Sequence, residues 1–406
     1  MRMLCYFIGV CALWTSVGAL SREARAEPLT ARRLIELVKT RAPEVLAAST
    51  RVAEARGRLS GARALGSGNP TVEAVIGSGE DFDHGNEIEL AVPIGVGLRR
   101  SRQVAGAKAD LDREGHLLVD TQRLVIGMAL AAYYQVLHAE RRLAIARDRR
   151  ELAEELNRIA GERLRTGDAA RLELLVAETE LSRAESEVLS DERNVVQTRV
   201  TLAGILGLPS GTAIEMAGDL SDRTLFDSVF PSREPERRAD VLAAESAVRA
   251  ASAAVSLAKM TLIPELSFRM NYQYTRDESF VRPGLAVTLP IFNYGQGARG
   301  EAKARRERAA IELEAQRAAA LAEAEGAWTA YQSMVASARE IEERALPLAT
   351  EVEALARQGY EAGKIDLSAL LVIRGNALET LREHADRLLQ TALAGIELAT
   401  SVGALP

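Results

Sequence analysis

A chain of 406 residues with 47% hydrophobic but only 4% aromatic side chains favours long packed helices over a compact catalytic core. Its formal charge of −6 argues against nucleic acid as a partner. Both cysteines, Cys5 and Cys11, fall within the first 26 residues, so the remainder has no thiol for a disulfide or a metal.

Arg2 leads an apolar run from Leu4 to Leu20, and Ala24-Arg25-Ala26 supplies a small-x-small cleavage site, so residues 1–26 read as a secretory signal peptide. Thr15, Ser16 and Gly18 interrupt the run and no stop-transfer cluster follows, which weighs against a membrane anchor. Ile8-Gly9-Val10-Cys11 lacks the small residue that precedes a lipoprotein cysteine. Losing Arg2, Arg22, Arg25 and Glu23 takes the balance from 51 basic and 57 acidic residues to 48 and 56. No later apolar run is expected to reach the ~20 residues of a spanning helix. An exported chain of this kind is periplasmic, secreted or an outer-membrane strand protein.

Thr30 can N-cap a short helix through Thr40, and Pro43 opens a longer one to about Leu65, broken by Gly66 to Pro70. Alternation then predicts a hairpin of strands 71–78 and 86–94, with a polar loop around His84. From Ser101 to Thr166 there is no proline, so a helical rod of roughly 100 Å is predicted. Gly167 interrupts it, and a returning helix runs over 169–206. After a loop-rich stretch, 210–235, the order repeats: helix 236–263, strands 266–274 and 284–292 around a loop containing Asp277, an uninterrupted helix 297–362, Gly363, and helix 366–402. Pro70 and Pro264, Pro93 and Pro290, and Gly167 and Gly363 lie 194, 197 and 196 residues apart. Landmarks in one order at one spacing point to a duplication, with repeats over 27–209 and 236–406.

The hairpins are of membrane length, ~9–11 residues per strand. In 266–274, Leu266, Phe268, Met270, Tyr272 and Tyr274 alternate with Ser267, Arg269, Asn271 and Gln273, which sends the two sets to opposite faces. Glu73, Glu87 and Glu89 fall on the polar face, with Arg269 as their counterweight. A charge facing lipid costs ~2–4 kcal/mol at mid-depth, so these four are candidate channel-lining residues and an acidic lining would favour cations. Four strands cannot close a barrel, and open edges do not sit in lipid. Three copies would give twelve strands and a lumen. Single cysteines at His84 and Asp277 are expected to label from outside the cell.

At this point the chain resembles the TolC family of outer-membrane efflux ducts over nearly its whole length after residue 26. The most specific piece is Pro290-Ile291-Phe292-Asn293-Tyr294-Gly295, followed by Gln296 to Arg299 at the start of a long helix. The first-half counterpart, Pro93-Ile94-Gly95-Val96-Gly97-Leu98-Arg99-Arg100, is similar to the heavy-metal (cobalt–zinc–cadmium, CzcC-like) branch. The tip motif of the family is matched by Gly167 with Glu173-Leu174-Leu175 and by Gly363 with Ala369-Leu370-Leu371. The resemblance implies a mainly α fold with a small β part. Duplicated long-helix hairpins would form an α-barrel tunnel, and four strands per protomer a trimeric twelve-strand barrel in outer-membrane lipid. It also implies docking of a periplasmic adaptor (membrane fusion protein) at the tip, and an inner-membrane RND-type or ABC-type pump. The acidic tip positions of well-known members fall on Ala369 and Val372 here, and Glu173 replaces them only in part. Metal-cation export is favoured over drug export or protein secretion by the Gly-Leu-Arg-Arg turn alone.

Other signals weigh less. Gly295-Gln296-Gly297-Ala298-Arg299-Gly300 is a literal G-x-G-x-x-G, but the helix after it is far too long for a dinucleotide-binding unit. His84, His116, His138 and His384 lack ligand spacing, and no nucleophile–base set is apparent, so neither a cofactor nor catalysis is expected. The charge runs Arg147–Arg150 and Glu301–Arg308 read as solvated helix faces. A periplasmic adaptor is the nearest rival, but it would carry one helical hairpin rather than two full sets. An exported enzyme using the Gly-rich turn is the rival from another class.

Overall fold

The computed structural model describes residues 28–64, 68–76, 86–94, 99–167, 170–209, 211, 212, 214–226, 229, 234, 237–274 and 278–405. The expected signal peptide, the hairpin positions His84 and Asp277, and the Gly95–Leu98 turn lie outside them. Helix α1 (Ala31–Arg41) opens at Thr30, whose Oγ1 accepts a bond from the Arg33 N–H at 3.3 Å, and α2 (Pro43–Ala62) opens on its proline. Strands β1 (Thr71–Val75) and β2 (Asn86–Ile94) lead into α3 (Arg99–Thr166), an unbroken rod of 68 residues, and α4 (Arg171–Ile205) returns beside it. Helix α5 (Ala239–Lys259) then runs through a 3-10 turn at Met260–Leu262 into β3 (Glu265–Tyr274) and β4 (Ser279–Thr288). The second half ends with α6 (Gln296–Glu340), a π turn (Ile341–Ala345), α7 (Leu346–Glu361) and α8 (Leu367–Ser401). The chain is 75% helical around one four-stranded sheet, mainly α with a small β part as expected.

Three sequence expectations need correction. The second rod is not uninterrupted. Pro347 has no N–H to offer the carbonyl four residues back, and the wider π turn absorbs the defect, with the Leu346 N–H bonded to the Ile341 carbonyl instead. The first rod carries Glu151 at the matching position and stays α-helical. Second, the fourth strand is Ser279–Thr288, not 284–292. Its last partner is Glu265, the first residue of β3 after Pro264, so Leu289 onward has nothing to pair with. Third, one apolar helix after residue 26 does reach spanning length: Ala239–Leu262, 24 residues. It packs against α3 and α6 among helices. Its composition reflects alanines and serines that let helices approach closely.

The main core lies partway down the rods. Val125 to Leu137 of α3 meet Leu388 to Val402 of the α8 end, with Leu34 and Val38 of α1 and Leu202 of α4. The segment after α4 is tied to this core by two phenols. Tyr133 donates to the Ala217 carbonyl at 2.8 Å and Tyr134 to the Asp222 carbonyl at 3.0 Å. Burial, with the charge of Asp222 adding to it, pushes the Tyr133 phenol up to about 12 and moves Tyr134 in the same direction. Both therefore remain donors at any physiological pH.

Candidate channel face and tip groove

The sheet is antiparallel throughout in the order β1-β2-β3-β4, so β1 and β4 are open edges. Its register gives the two faces different character. Val72 pairs with Leu90, Ile88 with Tyr272, Phe268 with Leu285 and Tyr272 with Val281, which makes one continuous apolar face. On the other face Glu73 lies opposite Glu89, Glu89 opposite Asn271, and Asn271 opposite Arg282. Arg269 reaches Glu89 at 3.1 Å, and the Asn271 amide donates to Glu87. The four residues picked from sequence (Glu73, Glu87, Glu89 and Arg269) thus share a face.

Arg282 was missed. It looked like a loop residue because Pro283-Gly284 follows it, yet β4 is an edge strand, where proline is tolerated. Its guanidinium lies 5.8 Å from the centroid of the Phe280 ring, two residues back on the same face. Arg269 is therefore not the only counterweight. Glu265 at the start of β3 takes this face too and is held by Arg99 at 2.6 Å, so four glutamates face two arginines on the described strands.

At the far end of the rods, Gly167 (φ 85°) and Gly363 (φ 66°) both take the left-handed backbone that a side chain resists. Each amide closes the last helical turn, Gly167 onto the Leu164 carbonyl at 3.1 Å and Gly363 onto the Tyr360 carbonyl at 2.9 Å. Asp366 then caps α8, accepting from the Ala369 N–H at 2.7 Å. A small cluster holds the ends together: Leu156 and Ala160 from α3, Ala177 from α4, Ala356 from α7, and Leu367 and Leu370 from α8. Leu174 and Leu371 pack on its margin.

Leu175 does not pack against the rod; it is 47% exposed. It lines a groove of 590 Å³ between α4 and α8, with Leu172, Val176, Leu371, Val372 and Gly375. The groove is built from equivalent positions of the two repeats. Leu172 matches Ser368, Leu175 matches Leu371, Val176 matches Val372 and Thr179 matches Gly375, each 196 residues apart. The sequence signal for Leu172, Val176 and Val372 was an i, i+3/i+4 apolar stripe that the Leu-Leu pairs masked. Glu173 is occupied by Arg163 of α3 at 2.8 Å, so it is not a free acidic group at the tip.

The arginine run at 147–150 is also more than a solvated face. Arg147 reaches Glu192 at 3.0 Å, and Arg149 reaches both Glu180 and Glu187 of α4, the latter at 3.1 Å. The run at 301–308 behaves as expected, with Arg305 on Glu301 one turn away. Gly295 (φ 77°) stands at the N-cap of α6, whose 45 residues far exceed the short crossover helix of a dinucleotide-binding unit.

Comparison with known proteins agrees with this architecture. OpmQ of Pseudomonas putida, a pyoverdine export outer membrane protein, is 26% identical over 91% of this chain and 85% of its own length. CzcC of Cupriavidus metallidurans, a cobalt-zinc-cadmium resistance protein, is 23% identical over 95% of this chain and 91% of its own. The crystal structure of CusC superposes with a TM-score of 0.78 over 93% of each chain at 17% identity, a likeness of fold. Residues 34–208 and 230–404 match the outer membrane efflux protein family, and the chain belongs to it, as an outer-membrane channel protein with a large periplasmic helical portion.

Proposed function

We propose that three copies of this chain close a twelve-strand barrel and form the exit duct of a tripartite efflux system. The observation that carries the reading is the sheet itself: two unpaired edges, one apolar face and one charged face in a protomer of four strands. Unpaired edges are excluded from lipid and a closed ring removes them, leaving the charged face on the lumen. The duct performs no chemistry; energy comes from an RND-type or ABC-type pump in the inner membrane. The periplasmic adaptor docks at the tips marked by Gly167 and Gly363, where Leu174, Leu370 and the groove residues Leu175 and Leu371 shape the end face. Glu173 supports that face from behind through Arg163.

The cargo we infer is small metal cations, supported by the residual acidic excess of the channel face and by similarity to a cobalt-zinc-cadmium resistance protein. A second reading, export of an organic chelator, is favoured by the relative named for pyoverdine export. Deleting the gene and measuring cell-associated zinc, cobalt and cadmium beside secreted siderophore separates the two. Metal accumulation with normal siderophore supports the first, and the reverse outcome refutes it. Loss of neither, together with monomers in outer-membrane fractions, would refute the duct.

A further inference from the structure

The chain as a whole is acidic, with 51 basic and 57 acidic residues, but the helix ends that meet the sheet are not. Residues 54–64, 99–108, 256–265 and 296–308 together hold 13 arginines and lysines and 4 carboxylates. Two of these cations have partners of opposite character. Arg99 is drawn to Glu265 at 2.6 Å, on the charged face of the sheet. Arg299 instead lies 5.1 Å from the centroid of the Tyr294 ring, at the end of an apolar run.

That run, Leu289-Pro290-Ile291-Phe292, follows β4 directly. Leu285 and Val287 belong to the apolar face of the sheet, and Leu289 and Ile291 continue their spacing past the last paired residue, both exposed. Phe292 is 91% exposed. The run is nonetheless fixed in place. The Ile291 N–H donates to the Leu289 carbonyl at 2.9 Å, the Gly295 N–H to Asn293 Oδ1 at 3.1 Å, and Thr261 Oγ1 to the Tyr294 carbonyl at 3.3 Å. A Cβ on Gly295 would stand 2.8 Å from the Thr261 Cβ, so only glycine closes this turn.

Helix α6 then divides by charge. On one flank Arg305 pairs with Glu301 at 2.6 Å and Arg308 with Glu312 at 3.5 Å. On the other, Arg299, Lys303 and Arg306 follow at i, i+4 and i+7, one turn above the next. Lys303 and Arg306 are exposed and form no ion pair among the described residues. The stripe is about 10 Å long at ~1.5 Å per residue, enough to cross a headgroup layer of roughly 5–7 Å.

We propose that Leu289 to Phe292 enter the periplasmic leaflet of the outer membrane, and that Arg299, Lys303 and Arg306 bind the phosphate of an anionic glycerophospholipid there. Two things identify this occupant. The run continues the apolar face of the sheet, and the cations stand just beyond it, at the depth where a lipid carries its negative charge. Tyr294 lies between them, as an aromatic ring at a membrane interface does. The inference rests on the proposed barrel, since only a spanning sheet brings this end to a lipid surface.

Tryptophan reporters test the two readings separately. In a background of Trp14→Phe and Trp328→Phe, one full chain carries Tyr294→Trp and another Val287→Trp. Each is reconstituted in phosphatidylcholine vesicles containing brominated phosphatidylglycerol or brominated phosphatidylcholine at equal mole fraction. Val287→Trp, on the apolar face, is expected to be quenched equally by both. Tyr294→Trp should be quenched with a preference of about five-fold or more for the anionic lipid, the effect of one cation at an anionic surface. Lys303→Gln with Arg306→Gln should remove most of that preference. Arg305→Gln with Arg308→Gln, the same change in net charge on the paired flank, should leave it intact. Equal quenching of Tyr294→Trp by the two lipids, no quenching there, or a preference that survives Lys303→Gln with Arg306→Gln would each overturn the proposal while Val287→Trp still reports the barrel. An unquenched Val287→Trp would overturn the barrel as well.

Discussion

Arg282 changes what the proposed channel face would do. With Arg269 beside Glu89 and Arg282 opposite Asn271, the proposed lining carries both signs, and cation preference should be modest in planar bilayers. Arg282→Gln is expected to raise cation selectivity, read as a larger reversal potential in a salt gradient, and Glu73→Gln with Glu87→Gln and Glu89→Gln to reverse it. An unchanged reversal potential in both variants would place these residues away from the lumen. A second residue-scale prediction concerns Arg238, whose side chain is 2% exposed. It binds Asp240 through two nitrogens, Glu323 at 2.6 Å and the Ser401 carbonyl at 3.1 Å, while Arg123 takes the Thr400 carbonyl at 2.6 Å. Two arginines thereby hold the carboxyl end of α8 to α3 and α5. Removing one partner strands the others, so Arg238→Ala should cost about 3–5 kcal/mol, measured by thermal melting in detergent. Burial lifts the Asp240 carboxyl, but Arg238, Gln316 and Arg123 outweigh it and hold it low. Its contribution is therefore complete above the ordinary carboxylate value of ~3.9 and lost only as pH falls through the lower folded one.

Among elements, the helix reversals at the tip are defined by backbone conformation rather than by packing. A Cβ at Gly363 would meet no atom within 4 Å, yet φ of +66° penalises any branched side chain. Gly363→Val is therefore expected to disturb the α7–α8 turn and weaken adaptor crosslinking, while trimer levels stay normal. Gly363→Asn, which tolerates this conformation, should retain most crosslinking and export. Equal export in both would show that the turn is not the docking end. The groove offers an independent measurement: Leu371→Glu places a charge on its apolar wall without touching either glycine. Reduced adaptor crosslinking with an unchanged melting temperature is the expected result.

For the whole molecule, the open edges β1 and β4 make a direct prediction of assembly. A cysteine at Val72 should form a disulfide with one of a series of cysteines placed along Ser279–Val287, giving a covalent trimer in SDS. A covalent dimer without trimer, or no crosslink at any position, would rule out the twelve-strand ring.

Periodicity alone determined the class of every long helix and both hairpins, because a spacing of two or of 3.6 residues is a local property. Strand β2, the two left-handed glycines and the shared face of Glu73, Glu87, Glu89 and Arg269 were legible for that reason. Three things were decided only by tertiary contacts. The span of β4 depends on where β3 begins, so Pro283 and Arg282 could be placed only by pairing. Leu175 and Leu371 occupy equivalent places in the two repeats, yet that they line one groove follows from α4 and α8 lying alongside each other. Glu173 read as an acidic tip position and Arg149 as part of a solvated face until the neighbouring helix brought Arg163, Glu180 and Glu187 to them. A sequence states which face a side chain takes on its own element; what stands opposite that face is set by residues tens to hundreds of positions away.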